Sequence, residues 1–222
     1  MVGLAGGDPV DPAEAFGRVG GWSNGYLHVV ADDRYGWVMS LRLARTNAEA
    51  HMYMELHPCE SCGETDFDPV SSVIMIEGDL GSRYRGFCPR CGTQREFTFR
   101  IPDDATLPDE EEPSFGGDDR SELLDPGEWM WVADVVASGS PANPDGLSAE
   151  QRRNTLLDLR TAAAAMSEVI KFVPDGEDRV PLTSFWSARG RQVYGQEPGR
   201  FRLGRLEVVH RAYRELAERF AD

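Results

Sequence analysis

The chain has 222 residues, 41% of them hydrophobic, and a formal net charge of −15. That length suits one medium domain or two small ones, with enough material to bury a core. No apolar run approaches the roughly 20 residues that cross a bilayer, and the acidity argues against a general nucleic-acid coat.

The charge is unevenly spread. Residues 101 to 128 hold eleven acids and one base, Arg120, so this stretch alone carries −10 and the remaining 194 residues share −5. Residues 189 to 222 run the other way, with eight arginines against five acids. A local anion site is therefore compatible with the low overall charge. Arginine outnumbers lysine 22 to 1, which reads as the codon bias of a GC-rich bacterial genome.

In chain order, residues 1–20 have neither the basic nor the apolar region of a secretory signal and read as a flexible lead-in, with a cytoplasmic location as the default. From Gly21 to Leu43 the pattern is β-like. "GYLHVVA" is a short apolar run, and Trp37, Met39, Leu41 and Leu43 alternate with Val38, Ser40 and Arg42, as on a half-buried strand. A hairpin is expected through Asp32–Gly36. "TNAE" at 46–49 has the form of a capping box, and Ala48, Met52 and Leu56 then recur at helical spacing until Pro58. The same segment also alternates at Met52, Met54 and Leu56, so a strand is the rival.

Residues 59–101 hold every cysteine, in "CESCG" at 59–63 and "CPRCG" at 88–92. Between the pairs lie the β-rich run "SSVIMIEG", a turn at "GDLG" and "SRYRGF", and after them comes "TQREFTFRI". The spacing is C-x2-C-x25-C-x2-C. Two thiolates on one tight turn share an ion, and a hairpin that unites two such turns presents four sulfurs as a tetrahedron. Gly63 and Gly92 supply the left-handed backbone those turns use.

This stretch resembles a zinc ribbon over residues 57–101, about a fifth of the chain. The resemblance implies a structural Zn2+ held by Cys59, Cys62, Cys88 and Cys91 on a three-stranded sheet. It implies no single activity, because zinc ribbons occur in transcription, translation, enzymes and adaptors. Other uses of these cysteines fit less well. Disulfides belong to oxidising compartments, a redox pair needs only one CxxC, and four thiolates leave no open position for catalysis. "HPCESC" contains half of a zinc-deaminase signature, but the required H-x-E is represented only by "NAE" at 47–49, with nine residues between Glu49 and Cys59. The four histidines, His28, His51, His57 and His210, are scattered. His57 is close enough to Cys59 to be a substitute or supporting ligand, with a plain helix-end role as the simpler reading. The motifs of zincins, P-loops, dinucleotide folds and nucleophile elbows are missing from the sequence.

Arginines and aromatics interleave at Arg83, Tyr84, Arg85, Arg95, Phe97 and Phe99, which offers a nucleic-acid or partner contact surface if exposed. Against this, residues 59–100 carry seven acids and five bases, and packing of Phe97 and Phe99 against the rest of the protein is the competing expectation.

The acidic, Pro/Gly-rich segment 102–121 reads as a linker. Beyond it the pattern is helical. "GEWMWVADVVAS" is apolar, "SAEQ" at 148–151 is a second capping box, and Leu156, Leu159, Ala163, Met166, Ile170 and Val173 form one long stripe. A shorter helix from near Thr183 to Tyr194 is expected to turn Trp186, Gly190 and Val193 or Tyr194 inward. Leu206, Val209, Tyr213, Leu216 and Phe220 mark a last one, and these helices are expected to form a small bundle.

The expected fold is α+β: a β-rich region over 21–101 with the zinc ribbon, a linker over 102–121 and a helical domain over 122–222. The expected function is non-catalytic, a zinc-binding adaptor, chaperone or immunity-type protein that binds a specific protein, a basic one being an option, with no membrane association. The alternative is a nucleic-acid-associated regulator.

Overall fold

The computed structural model describes residues 28–31, 41–76, 78–103 and 113–221. The expected lead-in at 1–20, the hairpin through Asp32–Gly36, the Trp37–Met39 alternation and residues 104–112 of the acidic segment lie outside the described residues.

The chain is mixed α+β, and the described residues form four strands and five α-helices in the order β1 (His28–Ala31), α1 (Asn47–Leu56), β2 (Val70–Ile76), β3 (Asp79–Phe87), β4 (Gln94–Arg100), α2 (Pro126–Ala137), α3 (Ala149–Ile170), α4 (Ala188–Gln196) and α5 (Leu203–Glu218). The strands make one sheet in sequential order. β2, β3 and β4 form an antiparallel meander, and β1 joins β2 in parallel. The β2–β3 hairpin turns at Gly78, where φ is 101°. The turn is tighter than the "GDLG" reading, because Asp79, Leu80 and Gly81 already pair with β2. A glycine with positive φ suffices for such a short loop.

α1 is the helix its capping signal predicts, though only half of the box forms. Thr46 Oγ1 accepts from Glu49 N at 3.1 Å. The Glu49 carboxylate instead accepts from Arg45 N at 2.8 Å and from its guanidinium. Ala50, Met52, Met54 and Leu56 are all buried, so the helix is enclosed on more than one side. That is why its sequence reads equally well as an alternating strand. It lies across the sheet face that carries Tyr84, Phe97 and Phe99, with the Tyr53 ring edge-on to Phe97 and Phe99 at 6.2 and 5.5 Å. The Tyr84 hydroxyl donates to Asn47 Oδ1 at 2.6 Å.

The helices form the expected bundle. α3 packs against both α2 and α5, and α2 against α4. Both halves of the second capping box are present on α3, between Ser148 and Gln151. Because α3 has neighbours on two sides, its burial is wider than the predicted stripe: Ala162, Ala165 and Val169 are buried along with Leu159, Ala163 and Met166. The shorter helix starts later than expected, at Ala188, after a 3-10 turn at Leu182–Ser184. Ser187 caps it, so Trp186 falls outside the helix and is 39% exposed rather than inward.

α2 and α4 meet at two glycines. A Cβ on Gly127 would stand 2.5 Å from Gly190 Cα, and a Cβ on Gly190 would stand 2.0 Å from Asp125 Oδ1. Asp125 is fully buried and serves both helices. Its Oδ1 accepts from Gly127 N and Glu128 N at 2.9 and 3.0 Å, and its Oδ2 accepts from Ser187 N at 2.7 Å.

One cluster of buried side chains takes in Met52, Met54, Tyr84 and Phe99 together with Trp129, Met130, Met166 and Phe172. Within the stretch read as a linker, Phe115 is buried and its ring lies 4.6 Å from that of Trp129.

Candidate metal centre

The two cysteine pairs occupy different connections. Cys59 and Cys62 lie between α1 and β2, and Cys88 and Cys91 lie in the turn between β3 and β4. Both are tight knuckles closed by backbone hydrogen bonds. Gly63 N donates to Cys59 O at 2.7 Å and Cys59 N to Glu64 O at 2.8 Å, while Gly92 N donates to Cys88 O at 2.9 Å and Cys88 N to Thr93 O at 2.8 Å. The matching glycines have φ of 75° and 70°, the left-handed conformation their identity predicts.

All four Sγ atoms lie within 4.8 Å of one another, and all four cysteines are free thiols. The short approaches run between knuckles: Cys59 to Cys91 at 3.6 Å and Cys62 to Cys88 at 3.5 Å. Thiolates about 2.3 Å from a tetrahedral ion stand about 3.8 Å apart, so the cluster has the size of a metal shell. The neighbouring groups shift two of the thiols in opposite directions. The Thr93 hydroxyl, followed by the Thr93 backbone, pulls the Cys91 thiol down to about 6. The Glu64 backbone N–H favours the Cys62 thiolate, but desolvation and the other three sulfurs outweigh it and push that thiol up to about 12.

Two contacts tie the knuckles outside the sulfurs. Thr93 Oγ1 lies 3.2 Å from both Cys91 Sγ and Ser61 Oγ. Arg90 pairs with Glu64 at 3.2 Å and donates to Cys62 O at 3.4 Å. His57 is not part of the sulfur cluster. It ends α1, stacks on Tyr53 with ring centroids 3.8 Å apart, and holds its Nδ1 2.7 Å from Tyr53 O. His51 sits edge-on to Tyr84 and His210 lies 3.0 Å from Ser167 Oγ, each in a packing role.

The arginine and aromatic residues of the sheet do not form one exposed surface. Strand alternation puts Arg83 and Arg85 on one face, opposite Thr98 and Glu96, and Tyr84 on the other face, opposite Phe97. Tyr84 and Phe99 are buried beneath α1, and Arg83 and Arg95 are buried as well. Arg85 is exposed and pairs with Glu96 at 2.8 Å. Arg95 has its guanidinium over the Phe67 ring at 4.3 Å and donates to three backbone carbonyls: Asp66 O, Met54 O and His57 O, at 3.2, 3.2 and 2.7 Å.

A charged cluster that no sequence motif announces joins α1 to α3. Arg45 Nη2 contacts Glu49 at 2.6 Å and Glu168 at 2.8 Å, and Lys171 contacts Glu168 at 2.7 Å. Arg45, Glu49 and Glu168 are buried. Arg45 also donates to Asp119 O, and Lys171 to Gly117 O. Only the Arg45–Glu49 spacing of four was visible in sequence, because Glu168 is 123 residues from Arg45.

A hollow of about 100 Å3 is lined by Val180, Tyr194, Phe201 and Arg202, and an open, charged depression of about 640 Å3 lies along α5 between Glu207, His210, Arg211, Arg214, Glu215 and Glu218.

No protein family, curated protein or solved structure matches the chain.

Proposed function

We propose that this chain is a non-catalytic zinc protein that acts by binding a specific partner protein, with residues 57–101 folded as a zinc ribbon. The observation that carries the reading is the convergence of four thiols from two matched knuckles to the dimensions of a tetrahedral shell. A shell filled by four thiolates holds no substrate, so its ion serves the fold, and the work of the molecule falls to its surface. Zinc is the ion whose preferences suit four sulfurs at these separations.

A protein partner draws more support than nucleic acid. Base stacking and phosphate contact need exposed aromatics and free cations, whereas Tyr84, Phe99 and Arg95 are buried and Arg85 is paired. Several acids of the 101–128 stretch are also committed internally, since Asp125 and Glu128 cap α2 and Glu122 accepts from Leu43 N. Among the described residues of that stretch, a basic partner would be met by the exposed Asp103, Asp118 and Asp119.

The test is metal analysis of the purified chain followed by affinity capture from native lysate, with and without nuclease. One zinc per chain and stoichiometric, nuclease-resistant capture of a single protein are expected. Capture lost on nuclease treatment would move the reading to a nucleic-acid-associated regulator, and no capture at all would overturn both.

A further inference from the structure

Arg95 occupies a particular place in the chain path around the four cysteines. It lies four residues after Cys91, at the start of the strand that leaves the second knuckle. Its guanidinium binds both chain segments that flank the first knuckle. Met54 O and His57 O belong to the end of α1, two residues before Cys59 in the case of His57, and Asp66 O lies four residues after Cys62. The planar fork makes these three bonds at once, which a lysine ammonium on a flexible stem does not reproduce. The ring of Phe67 beneath it, with Phe97 at 5.5 Å, fixes its orientation. Only 7% of the residue is exposed, so water offers no ready substitute for the bonds.

Binding one ion with two separate turns requires the turns to be held in one relative placement, and any freedom between them is lost again on binding. We propose that Arg95 is a positioning residue for the metal centre: it sets the second knuckle against the first and couples occupancy of the site to the last turn of α1. This rests on the reading of the four cysteines as a zinc site. His57 O is a carbonyl just beyond the end of α1, the kind of group that needs an outside donor, whereas Met54 O already accepts from His57 N at 3.3 Å and takes Arg95 as a second donor. Arg95 therefore caps α1 from the metal-bearing hairpin, and loosening of the hairpin withdraws that cap.

The test is a competition titration of Zn2+ against a chromophoric chelator with the full chain, on wild type, Arg95→Ala, Arg95→Lys and Arg85→Ala. Amide hydrogen exchange is followed in the zinc-loaded and zinc-stripped states of each. Arg95→Ala is expected to weaken zinc binding about 10- to 100-fold, the range found when partners outside the ligand shell are lost. Arg95→Lys should fall between it and wild type, and Arg85→Ala should match wild type. In wild type the amides of Met54 to His57 should exchange faster on zinc removal, and in Arg95→Ala their exchange should no longer respond to zinc. If Arg95→Ala does not fold, Arg95→Lys carries the same comparison. Zinc affinity within twofold of wild type, with exchange at the end of α1 still zinc-responsive, would show a purely structural arginine and overturn the inference. A wild-type chain that binds no zinc would instead overturn the metal reading on which it rests.

Discussion

At the scale of single residues, Glu55 is the side chain most at odds with its surroundings. Its Oε2 is buried and has no hydrogen-bond partner among the described residues. Burial, reinforced by the nearby Asp66, pushes its carboxyl up to about 7 from 4.5. The folded protein therefore holds this proton more tightly than the unfolded chain. Stability from this group is intact below pH 4.5 and is lost as pH rises through 7. A shift of that size corresponds to a penalty on the order of 3 kcal/mol above pH 7. Glu55→Gln should stabilise the protein by about 2 kcal/mol at pH 8 and change little at pH 4.5, measured as urea midpoints at both values. Equal shifts at the two pH values would show that ionisation of Glu55 is not the cause. The identity of Glu55 gives no hint of this in sequence. A carboxylate on a helix with apolar residues at 52, 54 and 56 reads as solvent-facing until its burial and the approach of Asp66 are known.

At the scale of elements, the α2–α4 crossing shows what a local reading catches and what it omits. Asp125 at the start of α2 and Ser187 at the start of α4 have the residue types that cap helices, and both do so. That one carboxylate serves both helix starts depends on a contact across 62 residues, which periodicity does not report. The same crossing separates two glycines of α4. A methyl on Gly190 would meet the Asp125 carboxylate at 2.0 Å, whereas a methyl on Gly195 meets nothing within 4 Å. Gly190→Ala should destabilise by about 3 kcal/mol or more. Gly195→Ala should be neutral or stabilising by up to about 1 kcal/mol, since alanine favours the helix. Thermal or urea unfolding of the two variants checks this, and similar effects at both positions would mean that the close approach is not what holds α4. The cysteine knuckles were legible for the opposite reason. Each is a five-residue unit whose turn, ligands and glycine are all local, and only their mutual approach needed β3 and β4. The arginine and aromatic residues of the hairpin offered a contact surface only if exposed, with packing of Phe97 and Phe99 as the competing expectation, and alternation and the placement of α1 divide them between the interior and two faces.

At the scale of the whole molecule, a common apolar core joins the sheet region to the helices, and two further features, one at that junction and one in the sheet region, differ in how they should fail. The first is the buried cluster of Arg45, Glu49, Glu168 and Lys171. Removing one member leaves a buried charge without its partner. Glu168→Gln and Arg45→Met should each destabilise, and the double variant should show a coupling of more than about 1 kcal/mol in a double-mutant cycle. Additive effects would mean that the Arg45–Glu168 contact is worth little on its own. The second feature is the metal centre, and its loss should be regional before it is global. The knuckles contain little apolar surface of their own beyond Cys59 and Cys88, so on the proposed zinc reading the ion would supply the energy that orders them and a chelator would withdraw it. β3 and β4 lean on those knuckles but also contribute Tyr84 and Phe99 to the common core. Chelation should therefore unprotect the amides of residues 59–100 while leaving Leu159 to Val169 of α3 protected. It should also lower the unfolding temperature of the helices, because their packing against α1 and the sheet is then weakened. Added zinc should restore protection and, as the thiols ionise on binding, release protons measurable in a weakly buffered solution. A chain whose 59–100 amides stay protected in excess chelator would have a hairpin that stands on its own packing, and the four sulfurs would then be neighbours without a metal to explain them.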